Sequence, residues 1–599
     1  MTSIDPTFVG QVASVAGNVV RVRLRDDLPT RLVFVDGKSY RVGQVGGFFR
    51  IPIGYTQLFA VCSQVGADAA PHNEQSVSVL EEDPAMQDNL AGFRWMTLSL
   101  FGEAVSSVFE RGVGQYPVVG DEVHFVTDDD LEIIYAGSDA EGQLRIGDIA
   151  SASGITASLN LDKFVSRHSS IVGSTGAGKS NLVAVLLEEI AANEYQSARV
   201  IVVDPHGEYA NVAPGRAKVF RVNPQANDSR LLVPYWALPF DELMAMSFGG
   251  MQPAAETSVR DKVQELKREA ANHLNHPPAP QSITADSPIP FSIRQLWFDL
   301  DDFERRTFRS GQPNPVVTNI VTAGDANALT SNIYEPYQQG SAEPFKNRQA
   351  RNIAKQLELA RSRLTDTRYD FLFNPEGGYA PLLNGQIEND LDHLLADLLG
   401  HDRPITVLDV SEVPADVAPT VVGLLARLVY DMLFWAGGLD IGGRNQPLLL
   451  MIDEAHRFLP SSGESASHRA ISRIAKEGRK YGVGISAITQ RPSELDATIL
   501  SQCGTMIALR TTNSSDRGKI TGAFPDDLGG LVELLPALRT GEALMVGEAM
   551  FVPSRVRIRM SKQDGGGGDP PVNKRWKQPR PNEAQYSEAL SNWRNQVRG

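Results

Sequence analysis

The segment GSTGAGKS, Gly173 to Ser180, has the spacing G-x-x-x-x-G-K-[ST] and lies between an apolar run, SSIV, and a helix-like run, SNLVAVLLEEIAA. Strand, glycine-rich turn and helix in that order make a phosphate cradle. The glycines let the chain wrap so that backbone N–H groups along Gly173, Ser174, Thr175, Gly176, Ala177 and Gly178 face inward, and the helix N-terminus adds partial positive charge. Lys179 then reaches the β- and γ-phosphates of ATP, Ser180 offers its hydroxyl to Mg²⁺, and Asn181 completes the nucleotide-binding set.

Two further segments supply what hydrolysis needs. PLLLMIDEAH, Pro447 to His456, is an apolar strand ending in two acids at the sheet edge where ligands collect. Asp453 is expected to hold Mg²⁺ through water, and Glu454 to orient and deprotonate the attacking water. In GISAITQRPSEL, Gly484 to Leu495, the strand ends at Gln490, which can bond both the γ-phosphate and the lytic water or, alternatively, cap the next helix. His206 and His456 each lie in a motif that explains them without zinc, so no metal other than Mg²⁺ is expected.

These residues need a parallel sheet to bring their strand ends together. Apolar strands alternating with helices run from about Leu161, with strands read at Ser169 to Val172, Val200 to Asp204, Ile405 to Asp409, Leu448 to Asp453, Gly484 to Thr489, Thr505 to Leu509 and Ala543 to Val546. The fold class is α/β, a RecA-like P-loop core over residues 151–231 and 402–560. The long interval 232–401 must have structure of its own. Val259, Val263, Leu266, Ala270 and Leu274, and again Ile353, Leu357, Ala360 and Leu364, recur at helical spacing, so a helical insertion is expected, with Asn275 to Pro290 as a surface loop or linker. Residues 1–150 carry short β-prone runs such as VVRVRL and GFFRIPIG, which suggest a small antiparallel barrel or sandwich. Residues 561–599 read as a flexible tail after Gly565 to Gly568.

A net charge of −15 leaves nucleic-acid binding to a local basic stripe if it occurs. The two cysteines, Cys62 and Cys503, make neither a thiol-rich zinc site nor a disulfide framework, and a reducing cytoplasm fits best. The start lacks a secretory signal, and VVGLLARLVYDMLFWAGG, broken by Arg427 and Asp431, reads as a buried core helix and not a membrane span.

Taken with VVDPHGEYA, Val202 to Ala210, and IAKEGRKYGVGISAITQRPSEL, Ile474 to Leu495, the chain resembles the HerA family of bacterial and archaeal ATPases, related to FtsK. The resemblance spans about Leu161 to Arg559, and the N-terminal region resembles the small barrel shared by HerA proteins and rotary ATP synthases. It implies a homohexamer with nucleotide between neighbours and double-stranded DNA in the central pore. It makes Arg479 the arginine finger of the adjacent subunit's site, with Arg473 a nearby rival, and Arg167 a second basic position at the nucleotide. Asp204 and Glu208 become polar members of the active site, Asp204 among the catalytic ones. Pore residues stay unassigned; Arg348, Arg351, Arg361, Arg363, Arg555, Arg557 and Arg559 are the basic candidates.

The function implied is ATP-driven translocation or unwinding of duplex DNA, alongside a partner effector. That effector is a nuclease such as NurA or, in anti-phage systems, a sirtuin-like NAD hydrolase or another nuclease, since this chain carries no such motif of its own. The alternative is a ring scaffold that assembles and activates its effector with ATP as a regulatory ligand. A third reading, an ATPase of conjugation or secretion, is disfavoured by DPHGEY.

Overall fold

The run VVRVRL buries Val20, Val22 and Leu24 and exposes Arg21 and Arg23, the period of two that marks a strand with one face in a core. Six strands of this kind close on themselves in the order Val19–Leu24, Phe8–Ala16, Glu122–Phe125, Phe48–Ile53, Thr56–Ala67 and Arg94–Val105, the last pairing with the first. The N-terminal unit is therefore a closed barrel and not a sandwich. A short seventh strand, Val108–Arg111, extends it as a hairpin. Cys62 lies in the barrel core, where burial pushes its thiol up to about 12. The computed structural model describes residues 5–28, 33–68 without 36 and 41, 93–135, 141–151, 154–192, 195–309, 316–338, 343–524 without 464, 528–563, 571–578 and 583–595.

The second sheet has twelve strands, eight of them mutually parallel. From one side the parallel part runs Thr505–Leu509, Ser169–Val172, Val483–Thr489, Leu448–Ile452, Arg199–Asp204, Ile405–Asp409, Ala217–Arg221 and Ser229–Arg230. The central strands are buried along their whole length, as a sheet covered on both faces requires. Glu542–Gly547, Ser554–Ile558, Gln143–Ile149 and Thr156–Asn160 continue it in antiparallel fashion. The strand Gln143–Ile149, expected within the barrel segment 1–150, lies instead in this larger sheet, because its partner Ser554–Ile558 is supplied from the far end of the chain. Ala217–Arg221 was not among the expected strands and extends the other edge. The apolar helix Ala418–Trp435 packs into the core, with Val421, Leu425 and Val429 buried.

Within 232–401, the helices Pro253–Ala270 and Ala354–Thr365 bury Val259, Val263, Leu266 and Ala270, and Leu357, Ala360 and Leu364. Short paired strands, Thr307–Phe308 with Phe345–Lys346 and Ile320–Thr322 with Ile333–Tyr334, join them, so the insertion is not purely helical. The proline-rich segment Asn275 to Pro290 is a packed strap and not a free linker: Ile283 and Ile289 are buried, and the buried Lys267 donates to the carbonyls of Ala285 and Ser287. Gly565 to Gly568 lie outside the described residues; beyond them Glu583–Asn595 is helical.

Candidate nucleotide site

Sheet register gathers the motifs. Val172 is opposite Thr489, Ile452 is opposite Ala487, and Val203 is opposite Ile452, so Gly173, Gln490, Asp453 and Asp204 emerge side by side at the carboxyl edge. The turn after Val172 depends on its glycines. Gly178 has φ +107°, where a side chain would be strained, and a Cβ on Gly173 would come within 2.8 Å of the Leu509 side chain. Gly178 makes no side-chain cap for the helix Lys179–Ile190, so the first-turn N–H groups are left for an anion. Lys179 Nζ folds back onto the carbonyls of Gly173 and Ser174, at 2.9 and 3.2 Å.

Gln490 belongs to this cradle. Its Oε1 accepts from the Thr175 hydroxyl at 2.5 Å, and Arg491, not Gln490, is the N-cap of the following turn, without a side-chain cap bond. The structure thus sets aside the capping role.

The acidic strand end is tightly organised. Glu454 takes φ +47°, a left-handed conformation that costs a non-glycine residue about 1–2 kcal/mol. This turn lets the Glu454 N–H donate to Asp453 Oδ1 at 2.9 Å. His206 and His456 flank the Glu454 carboxylate, with ring nitrogens 4.0 and 3.3 Å from its two oxygens. Burial first, and then the Glu454 charge, push Asp453 up to about 7. Burial likewise pulls the Lys179 ammonium below its ordinary value, against the opposing charges of Glu454, Asp453 and Glu208.

Several acids crowd around one lysine, and both Glu208 Oε2 and Glu454 Oε2 are buried without a hydrogen-bond partner. Such a set fits a hard divalent cation: oxygen donors, excess negative charge, and polar atoms awaiting water or metal. Asp453 and the phosphate cradle that leads into Ser180 lie together at this edge.

Asp204 and Asn181 stand differently from the reading above. Asp204 is fully buried, and its carboxylate accepts the backbone N–H groups of His206, Gly207 and Tyr209 at 3.1, 2.8 and 2.9 Å. It shapes the DPHGEY turn from a fully buried position. Asn181 is occupied on both ends of its amide, donating to the Arg559 carbonyl and accepting from Ser561 N–H, each at 2.9 Å. It fastens the segment after the last strand onto the phosphate-loop helix.

Arg167 precedes the strand Ser169–Val172, so it sits at the edge opposite Gly173, with its Nε 3.5 Å from Glu548. It cannot serve the phosphate cradle of its own chain. Arg479 shares that edge, just before Val483–Thr489, a strand about 20 Å long. Arg479 is exposed and makes no ion pair or side-chain hydrogen bond among the described residues. Its rival Arg473 is engaged, 3.2 Å from Asp431, 3.6 Å from Glu477 and over the Tyr430 ring.

The basic DNA candidates divide in the same way. Arg555 is paired with Glu542, Arg559 with Glu188 and Glu189, and Arg363 with the carbonyls of Ala245 and Met246, whereas Arg348 and Arg557 are exposed. Sequence reasoning missed Tyr209, whose buried hydroxyl donates to Asp453 Oδ2 at 3.2 Å. Its place inside the DPHGEY segment was the available signal.

The family model described as the central domain of helicase HerA matches residues 144–429. A probable helicase of Methanocaldococcus jannaschii is 27% identical over 463 residues, covering 76% of this chain and 77% of that protein. The DNA double-strand break repair helicase HerA of Pyrococcus furiosus is 26% identical over 473 residues, 74% of each. Among solved structures, VirB4 of Thermoanaerobacter pseudethanolicus aligns with 73% of this chain and 99% of its own, at 14% identity and a TM-score of 0.42.

Proposed function

From the premise that the chain belongs to the HerA family and is an ATP-hydrolysing enzyme, we propose that it works as a homohexameric motor on double-stranded DNA, with each ATP and Mg²⁺ site shared between neighbouring copies. The observation that carries the shared site is Arg479: exposed, unpaired among the described residues, and at the sheet edge opposite its own phosphate loop. An arginine in that position is useful to the nucleotide of the next copy, where it can neutralise charge on the transferring phosphoryl group.

Within one copy, the phosphate-loop N–H groups and Lys179 bind and orient the phosphates. Ser180 and Asp453 would hold Mg²⁺, which would supply charge neutralisation on the phosphates. Glu454, held by its turn beside Asp453, accepts a proton from the attacking water, and Gln490 links that site to Thr175 in the loop. His206 and His456 lie on either side of the Glu454 carboxylate.

The duplex-DNA substrate draws its support from the relatives, one of which is named for double-strand break repair. A separate effector, a nuclease or an NAD hydrolase, would supply any cutting or NAD-consuming step. The experiment is to purify the protein and measure its mass, ATP turnover with and without duplex DNA, and displacement of a labelled strand. A hexamer whose turnover rises severalfold with duplex and which displaces the strand is expected. Turnover indifferent to DNA, in a ring that still activates an effector, would replace the motor with the scaffold reading.

A further inference from the structure

We propose that Tyr209 is a positioning residue for the cation: its buried phenol donates to Asp453 and fixes how that carboxylate is presented to the metal. This rests on the ATP and Mg²⁺ reading above and names a residue that reading does not use.

The arrangement begins at Asp204. Its carboxylate gathers three backbone N–H groups of the turn, including that of Tyr209 itself, and thereby fixes where the tyrosine leaves the chain. Gly207 makes the turn possible, with φ +74° and space for a Cβ limited by the Asp409 carboxylate at 3.1 Å. The Tyr209 ring then passes through the core, 1% exposed, and delivers its hydroxyl to the back of the acidic strand end.

There the hydroxyl donates to Asp453 Oδ2 at 3.2 Å. Asp453 Oδ1 already accepts the Glu454 N–H at 2.9 Å. Each oxygen of the carboxylate is therefore held by one donor from a different element, and its plane is determined, while a second lone pair on each oxygen remains for water. Packing alone would be served by phenylalanine, since the rest of the ring is surrounded by core. A buried hydroxyl aimed at the Asp453 carboxylate is what distinguishes tyrosine here. Partners of this kind, which orient the groups that touch a metal, affect metal affinity about 10- to 100-fold when removed.

The test is Tyr209→Phe in the full-length protein, read by binding as well as by turnover. Affinity for a fluorescent ADP analogue is measured in EDTA and across a Mg²⁺ titration. The expected result is unchanged affinity in EDTA, a Mg²⁺ midpoint raised about tenfold, and turnover that returns to within about threefold of wild type at saturating Mg²⁺. Because phenylalanine keeps the ring, the melting temperature without nucleotide should shift by less than about 4 °C.

A double-mutant cycle with Asp453→Ala adds an independent reading: once the carboxylate is gone, Tyr209→Phe should raise the Mg²⁺ midpoint no further. An unchanged midpoint in Tyr209→Phe, or additive effects in the cycle, would overturn the positioning role. A lowered melting temperature with an unchanged Mg²⁺ midpoint would make Tyr209 a packing residue only. Wild-type protein that binds nucleotide without any response to Mg²⁺ would instead overturn the parent reading, and this one with it.

Discussion

At the carboxyl edge of the parallel sheet, the groups that do chemistry are already held by the chain that carries them. Lys179 rests on two loop carbonyls, Asp453 is gripped from two sides, and Gln490 is bonded to Thr175. At the amino edge, one strand length away, Arg479 is exposed and uncommitted among the described residues, and Arg167 has one long contact to Glu548. Groups that act on a ligand of their own chain can be positioned by that chain's fold. A group that serves another copy must stay exposed until that copy arrives, and the proposed shared site requires this contrast between the edges.

The sharpest way to break this comparison is at Glu454. With Glu454→Gln the side chain keeps its shape and loses its basicity, so turnover should fall about 10³- to 10⁴-fold while ATP affinity stays within about twofold. Equilibrium binding of a slowly hydrolysed analogue beside steady-state turnover checks both halves. A parallel loss of binding would mean that Glu454 shapes the pocket and does not act on water.

Arg479→Ala should come next, with a loss of about 10³-fold in turnover and little change in the nucleotide affinity of dissociated protein. Mixing decides whether it acts on a neighbour. Rings assembled from Glu454→Gln and Arg479→Ala copies contain interfaces at which an intact Glu454 faces an intact Arg479, so turnover of the mixture should exceed that of either variant alone. No recovery on mixing would return Arg479 to its own chain, contrary to the length of strand that separates it from the phosphate loop.

The phosphate loop, the acidic strand and Gln490 were readable in sequence because each is a local pattern whose geometry follows from the strand it ends. Asp204, which the resemblance makes catalytic, is buried with its carboxylate accepting three N–H groups of a turn that no spacing rule counts. Arg167 could be placed on the amino edge from sequence alone, since a residue ahead of a parallel strand lies opposite the loop that follows it. The strand Gln143–Ile149 could not, because its pairing with Ser554–Ile558 is a contact across most of the chain. Tyr209 reads as one more core aromatic until its hydroxyl is seen to face Asp453.

A smaller effect separates nucleotide contacts from their supports. Asn181 lies beside Lys179 and Ser180 in sequence but spends its amide on Arg559 and Ser561. Asn181→Ala should cost about 1–3 kcal/mol of stability through two lost hydrogen bonds, and leave nucleotide affinity within about threefold. Thermal denaturation and analogue binding measure the two separately. A tenfold loss of affinity with unchanged stability would place Asn181 back among the nucleotide ligands.

The smallest expected effect is the most discriminating for the amino edge. Arg473 lies six residues before Arg479, carries the same charge, and differs in being already engaged with Asp431, Glu477 and the Tyr430 ring. If commitment within the chain marks a structural arginine, Arg473→Ala should cost no more than about 1 kcal/mol, as exposed pairs do, and leave turnover within about threefold. Measured beside Arg479→Ala in the same assembled protein, it controls for lost positive charge on that edge. Equal, large losses for both variants would mean that the edge acts through its summed charge, and exposure without a partner would no longer identify the finger.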